Sequence, residues 1–265
     1  MDEDKAYRLA SGVNYSSLKH LRKSALHYRH AIEAGDDPKL AQKLAMFRAV
    51  HSLVLEPFGF ETEYAIYLGR RDKRSKAYKE FLAKNEGKTI LSPDEYEQAM
   101  ACAASVNDHP WVQELLADPR TETEVPMFWE DGDVGTMKGK ADILHLSPDR
   151  GLIVADLKTF ATTDADQIAR QGGINGWHIQ MAHYLQGAAK HYGCDLATVK
   201  HSAFCVVVEA KAPHDCTVCQ WGETTLEAAH LEHRALLLRL RTCLETDKWI
   251  GRPPLQTIDL PPYLL

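Results

Sequence analysis

The first third of the chain spaces its apolar residues as helices do. Ser16 or Ser17 can cap a helix running to about Ile32, and Gly35 lies just past its end. Asp37-Pro38 opens a second helix, where a proline in the first turn is tolerated. Its positions Leu40, Leu44, Phe47, Val50, His51 and Val54 keep helical spacing, and it stops near Glu56-Pro57. Lys73 to Glu86 reads as a polar, exposed helix. Ser92-Pro93-Asp94-Glu95 is a capping box with proline at the first helical position, and the helix it starts runs to about Val106. Pro110 to Ala117 fits one more short helix.

The pattern changes near Thr121. Strands are expected over Thr123–Trp129, Thr136–Leu146 and Gly151–Lys158, with turn signals at Gly132, Gly135 and Ser147-Pro148-Asp149-Arg150-Gly151. A polar, glycine-rich segment from Thr159 to Gly176 precedes a helix over Trp177–Tyr192, which Gly193 can end. Ala203–Val208 is the apolar, β-branched run of a buried central strand. Cys216–Trp221 can pair beside it, Thr224–Thr246 is a long amphipathic helix, and the proline-rich tail is extended. This order predicts an α/β fold: a mixed sheet flanked by helices, with a helical lobe at the N-terminus. The lobe spans 1–120 and the core 121–265, as one integrated domain.

Composition narrows the function classes. With 45% hydrophobic and 26% charged residues the chain has a globular balance. No apolar run approaches the ~20 residues that span a bilayer, and the charged start carries no signal-peptide core, so a cytoplasmic protein without a membrane partner is expected. The six cysteines are scattered, which argues against a disulfide scaffold. Cys216 and Cys219 form a C-x2-C pair near His214, but a second pair to complete a metal site is missing. The net charge of −6 does not suit a protein that coats DNA through its global field. A local basic patch, Arg70, Arg71, Lys73 and Arg74 with Lys76 and Lys79, reads either as a nucleic-acid contact or as a solvated loop.

The candidate chemistry lies between Gly139 and Thr159. If Pro148-Asp149-Arg150 forms the hairpin loop and Ser147 faces Gly151, Asp142 and Asp156 sit opposite each other. Lys158 then shares the face of Asp156, because side chains alternate along a strand. Ala141, Ile143, Ala155 and Leu157 fall on the other, apolar face. Opposed carboxylates repel, and in a cleft a divalent cation such as Mg²⁺ or Mn²⁺ relieves that repulsion. A neighbouring lysine can orient the attacking water or offset charge on a phosphorane. A solvated hairpin of mixed charge, with Lys138 and Lys140 on the same face, accounts for the same spacing.

Gly139-Lys140-Ala141-Asp142, then Asp156-Leu157-Lys158-Thr159 fourteen residues after the first aspartate, then Gln180 to Tyr184 on a helix, resembles the PD-(D/E)xK nuclease superfamily. Within it the chain looks like the RecB-type branch and is most similar to phage and prophage exonuclease VIII-like proteins. Tyr15-Ser16-Ser17-Leu18, His27-Tyr28 and His51 to Pro57 carry that likeness, although Phe47-Arg48-Ala49-Val50 stands where the family has small residues and glycine. The resemblance implies a restriction-endonuclease-like core binding Mg²⁺, with Mn²⁺ able to substitute. Asp142 and Asp156 would be metal ligands and the Leu157 carbonyl a third. Lys158 would handle the water, and His51 would reach the site from the helical lobe. Gln180 and Tyr184 would contact DNA or brace the site, and Glu124 could be an outer carboxylate, in competition with Glu122. The implied activity is an exodeoxyribonuclease on double-stranded DNA ends. It would act as a ring-shaped homo-oligomer and supply single strands to an annealing protein in recombination. A restriction-like or structure-specific endonuclease and an inactive DNA-binding fold are the alternatives.

Overall fold

The computed structural model describes residues 6–7, 9–35, 42–255 and 257. The start of the second helix at Asp37-Pro38, with Leu40, and the tail prolines Pro261 and Pro262 lie outside them.

The N-terminal helix is broken rather than continuous. Asn14, not Ser16 or Ser17, caps a four-residue helix α1 (Tyr15–Leu18) by accepting the Ser17 N–H. A 3₁₀ turn at Lys19–Arg22 follows, and Ser24 caps α2 (Ala25–Ala34). Ser24 competes locally for backbone hydrogen bonds, which is why the run splits there. Gly35 ends α2 with φ 65°. Helix α3 (Ala45–Leu55) stops at Glu56 as expected, and α4 (Phe60–Glu63) leads into a short strand β1 (Tyr64–Ile66). Strand β1 pairs in parallel with β2 (Thr89–Leu91) around α5 (Lys76–Lys84). This small sheet has too few residues to leave a sequence pattern. The Ser92 capping box is present and opens α6 (Pro93–Asn107); α7 (Pro110–Ala117) follows.

The main sheet has the order β3-β4-β5-β6-β7, formed by Thr121–Asp131, Gly135–Ser147, Gly151–Phe160, His201–Glu209 and Cys216–Gln220. Only β5 and β6 pair in parallel. The crossover between them holds α8 (Ala165–Asn175) and α9 (Trp177–His191). Helix α8 replaces the expected polar loop. Its glycines argue against a helix by propensity, but a Cβ on Gly172 would lie 2.9 Å from the Trp221 ring, so that glycine is there for packing. The chain closes with α10 (Glu223–Thr246).

Both faces of the sheet are covered. On one, α1, α2, α9 and α10 pack on Val125, Met127, Met137, Leu152 and Val154. On the other, α3, α6 and α7 pack on Ile143, Ile153, Ala155, Leu157 and Val206. Residues from either side of position 120 therefore pack together on both faces. No helix among the described residues is long and apolar enough to cross a membrane.

Candidate active site

The β4–β5 hairpin has the expected register: Ser147 faces Gly151, and the ladder runs to Ile143 opposite Ala155. The next rung would join Asp142 to Asp156, and there the strands part. Beyond it β4 stays with β3 and β5 stays with β6. The Asp142 carboxylate takes the place of the missing backbone bond, with Oδ2 accepting the Leu157 N–H at 2.7 Å. Glu124, which would pair with Asp142 from the other side, also drops out of its ladder and has φ 53°. That is a costly conformation for a residue with a side chain, and such strain concentrates at functional positions. The alternation of faces slips here as well. Ala141 packs in the same core as Leu144, whereas Ile143 packs in the other. The expectation that Ala141 and Ile143 share one face is thereby corrected.

The fork gathers side chains from both layers. Helix α3 brings His51 Nδ1 to 3.5 Å from Asp142 Oδ2. Ligand atoms of His51, Glu124 and Asp142 all lie within 4.8 Å of one another. The Leu157 backbone lies near enough to the His51 ring to favour its charged form, against the larger effect of burial. Lys140 Nζ lies 2.6 Å from Glu124 Oε2. Asp156 is 2% exposed, which excludes a solvated hairpin face, and pairs with Lys158 Nζ at 2.6 Å. Lys158 donates to Gln180 Oε1 at 3.1 Å, and Gln180 Nε2 donates to Tyr184 Oη at 3.0 Å. Gln180 and Tyr184 are one turn apart on α9, so the helix holds the lysine head through an amide fixed at both ends.

Burial dominates the electrostatics. It raises the Asp142 carboxyl well above the usual carboxylate range, and the Asp156 charge raises it further. Glu124 is pushed up to about 7, first by burial and then by Asp142. His51 is lowered by burial, so its neutral imidazole is favoured near neutral pH. Burial alone would lower Lys158, but Asp156 and Asp142 outweigh it and raise the ammonium above its usual value. Tyr184 stays a neutral phenol, its ionisation opposed by burial and by both aspartates.

This donor set fits a divalent metal. His51, Glu124 and Asp142 offer ligand atoms within 4.8 Å of one another, and the two carboxyls, buried and raised by burial and by neighbouring carboxylates, would be stabilised as anions by a divalent cation. Asp156 Oδ2 is already met by the Lys158 ammonium at 2.6 Å. Carboxylates and a carbonyl are hard oxygen ligands that suit Mg²⁺ or Mn²⁺, and the neutral imidazole is the softer member of the set.

Other sequence candidates fall elsewhere. Glu122 accepts from Tyr192 at the far end of α9, so Glu124 is the carboxylate at the fork. Lys138 is buried, not solvated, and its Nζ donates to the Tyr7 and Ala10 carbonyls. Arg71 pairs with Glu95 and Arg74 with Asp72. Neither cavity flanking the fork is lined by Arg70, Arg71, Lys73 or Arg74. Cys216 and Cys219 pack on opposite faces of β7, which prevents them from chelating one ion. Sequence reading passed over Lys140 as a site residue, and also Trp177, whose ring centroid lies 5.7 Å from Lys158 Nζ. Lys140 holds the variable position of its motif and Trp177 lies outside any motif, and only the register of β3 on β4 and the start of α9 bring them in.

Among solved structures the chain is similar to the crystal structure of a "Putative exonuclease" from Eubacterium rectale. The TM-score is 0.58 at 15% identity, covering 95% of this chain and 92% of that one. That likeness shows the fold: a mixed five-stranded sheet flanked by helices. The structure of SSO0001 aligns over 59% of this chain and 68% of that one, with 17% identity and a TM-score of only 0.27. No curated protein sequence matches the chain significantly. Residues 14–253, which include every residue of the fork, match the model of one family, and the chain belongs to it: the PDDEXK-like domain of unknown function (DUF3799).

Proposed function

We propose that the chain is a Mg²⁺-dependent exodeoxyribonuclease that degrades double-stranded DNA from its ends, as the resemblance to exonuclease VIII-like proteins implies. The observation that carries the nuclease reading is the strand fork. It sets His51, Glu124 and Asp142 within ligand distance of one another and places Asp156 and Lys158 on the adjoining strand.

Asp142, Asp156 and His51 would hold the metal, with Glu124 and the Leu157 carbonyl at its edge. The bound ion would supply Lewis-acid stabilisation of charge on the phosphate oxygens. The chain's own groups do the rest. Lys158 stays an ammonium, so it orients the attacking water and offsets negative charge at phosphorus rather than acting as a base. Gln180 and Tyr184 keep that ammonium from swinging back to solvent. Burial of Asp156 excludes water that would screen these charges. Assembly as a ring-shaped homo-oligomer and hand-over of single strands to an annealing protein complete the proposal.

The test is a pair of substrates with Mg²⁺. Linear duplex should lose nucleotides from its ends, and covalently closed plasmid should stay intact. Linearised plasmid would instead make the protein an endonuclease on the same core. No cleavage and no metal affinity would leave a DNA-binding module.

A further inference from the structure

Two cavities flank the fork and meet at Ser16. One, of about 490 Å³, contains the acids His51 reaches: Glu124 and Asp142. The other, of about 960 Å³, lies on the Lys158 side, between the α1 segment, the start of α9 and one face of α10. Its wall is fixed. Tyr15 Oη donates to the Gly176 carbonyl at 2.5 Å, and Arg22 donates to the carbonyls of Gly173 and Ile174.

The charge inside this second cavity is unbalanced. Glu232 is the one acid among its lining residues, and it is already paired with Arg22 at 2.9 Å and His178 at 3.7 Å. Lys19, Lys23 and Arg239 also line it, and none of them has a carboxylate partner within ion-pair distance among the described residues. Lys19 and Lys23 stand close enough to each other, and Lys19 to Lys158, to disfavour the charge on Lys19, after the larger effect of burial. Cations crowded around a cavity without counter-charge are stabilised by a polyanion. Trp177 adds a half-buried aromatic face beside Lys158. Cations along a groove with an aromatic platform are how unpaired nucleic-acid strands are held, phosphates on the cations and a base on the ring. In a duplex the base faces are already stacked and cannot use that ring.

We propose that this cavity binds a single-stranded run of nucleic acid continuous with the phosphodiester at Lys158. Lys19, Lys23 and Arg239 contact its internucleotide phosphates and Trp177 stacks a base. The inference rests on the nuclease reading and specifies the form in which the substrate strand meets the site.

The test is fluorescence anisotropy with a labelled twelve-residue oligothymidylate in EDTA, over a range of salt. Lys19→Gln with Lys23→Gln should weaken binding at least tenfold. It should also lower the log–log salt slope by about 1.4, at roughly 0.7 per lost single-strand phosphate contact. Trp177→Leu should weaken binding several-fold with the slope unchanged. The exposed pair Lys84→Gln with Lys190→Gln should change neither. Wild-type affinity and slope in the Lys19/Lys23 variant, while the wild-type enzyme still cuts linear duplex, would overturn this inference and leave the nuclease reading standing. Tighter binding of a blunt duplex of equal length, with the same dependence on Lys19 and Lys23, would overturn the single-strand assignment. A wild-type protein that neither cuts nor binds DNA would overturn both readings.

Discussion

Asp142 Oδ2 accepts the Leu157 N–H at 2.7 Å, so a side chain on β4 closes the rung that the β4–β5 backbone leaves open. One carboxylate thereby splits the hairpin and stands at the centre of the ligand cluster.

The same carboxylate makes the metal-free protein sensitive to alkali. The folded-state pKa of Asp142 and that of Glu124 are both raised. A raised carboxyl stabilises the fold below its unfolded pKa of about 4, and that contribution is lost as pH rises through the folded value. For Glu124 the loss spans pH 4.5 to about 7, on the order of 3 kcal/mol if fully expressed. Melting in EDTA should therefore show Tm falling from pH 5 to pH 9, and Asp142→Asn should flatten the fall. A wild-type Tm independent of pH across this range would contradict the assignment.

Metal binding should release protons. Glu124 and Asp142 hold protons near neutral pH that ligation must displace. Mg²⁺ affinity measured by calorimetry should tighten up to about tenfold per pH unit for each proton displaced between pH 6 and pH 8. The apparent enthalpy should vary with the buffer's ionisation enthalpy. Equal affinity at both pH values and no buffer dependence would show that these acids are not the ligands.

Gln180→Leu removes the acceptor that holds Lys158 and leaves the donor set intact. We expect kcat to fall by about 10- to 100-fold, with Mg²⁺ affinity unchanged. Gln180→Glu keeps acceptors for both the Lys158 ammonium and the Tyr184 hydroxyl, and should retain more activity than Gln180→Leu. Full activity in Gln180→Leu would remove this residue from the account.

Gly139→Ala tests the packing behind the motif. Its Cβ would meet the Tyr184 ring at 3.2 Å, so the ring must shift, at a cost of about 1 kcal/mol. Through Gln180 the shift reaches Lys158, and a several-fold loss of activity should accompany a small drop in Tm. An unchanged Tm with unchanged activity would mean that Tyr184 braces nothing.

Much of this was legible in the sequence because local signals and tertiary structure agree. The Ser147-to-Gly151 turn alone gave the register that brings Asp142 toward Asp156, and the capping box at Ser92 marked a helix start to the residue. Signals failed where tertiary contacts override local preference. Gly172 is helical because Trp221 leaves no room for a Cβ, and Lys138 is buried because two backbone carbonyls receive its ammonium. The slip of alternation at Asp142 has no signature in a pattern of period two. The repulsion expected between opposed carboxylates is likewise offset on one side: Asp156 is the counter-ion of Lys158, and removing it strands a buried ammonium.

The central claim is tested most directly by the rate at which Asp142→Asn hydrolyses linear duplex DNA in saturating Mg²⁺. The account predicts a loss of at least about 10²- to 10³-fold, in a protein whose metal-free Tm at pH 8 equals or exceeds that of the wild type. A rate within a few-fold of wild type would contradict it.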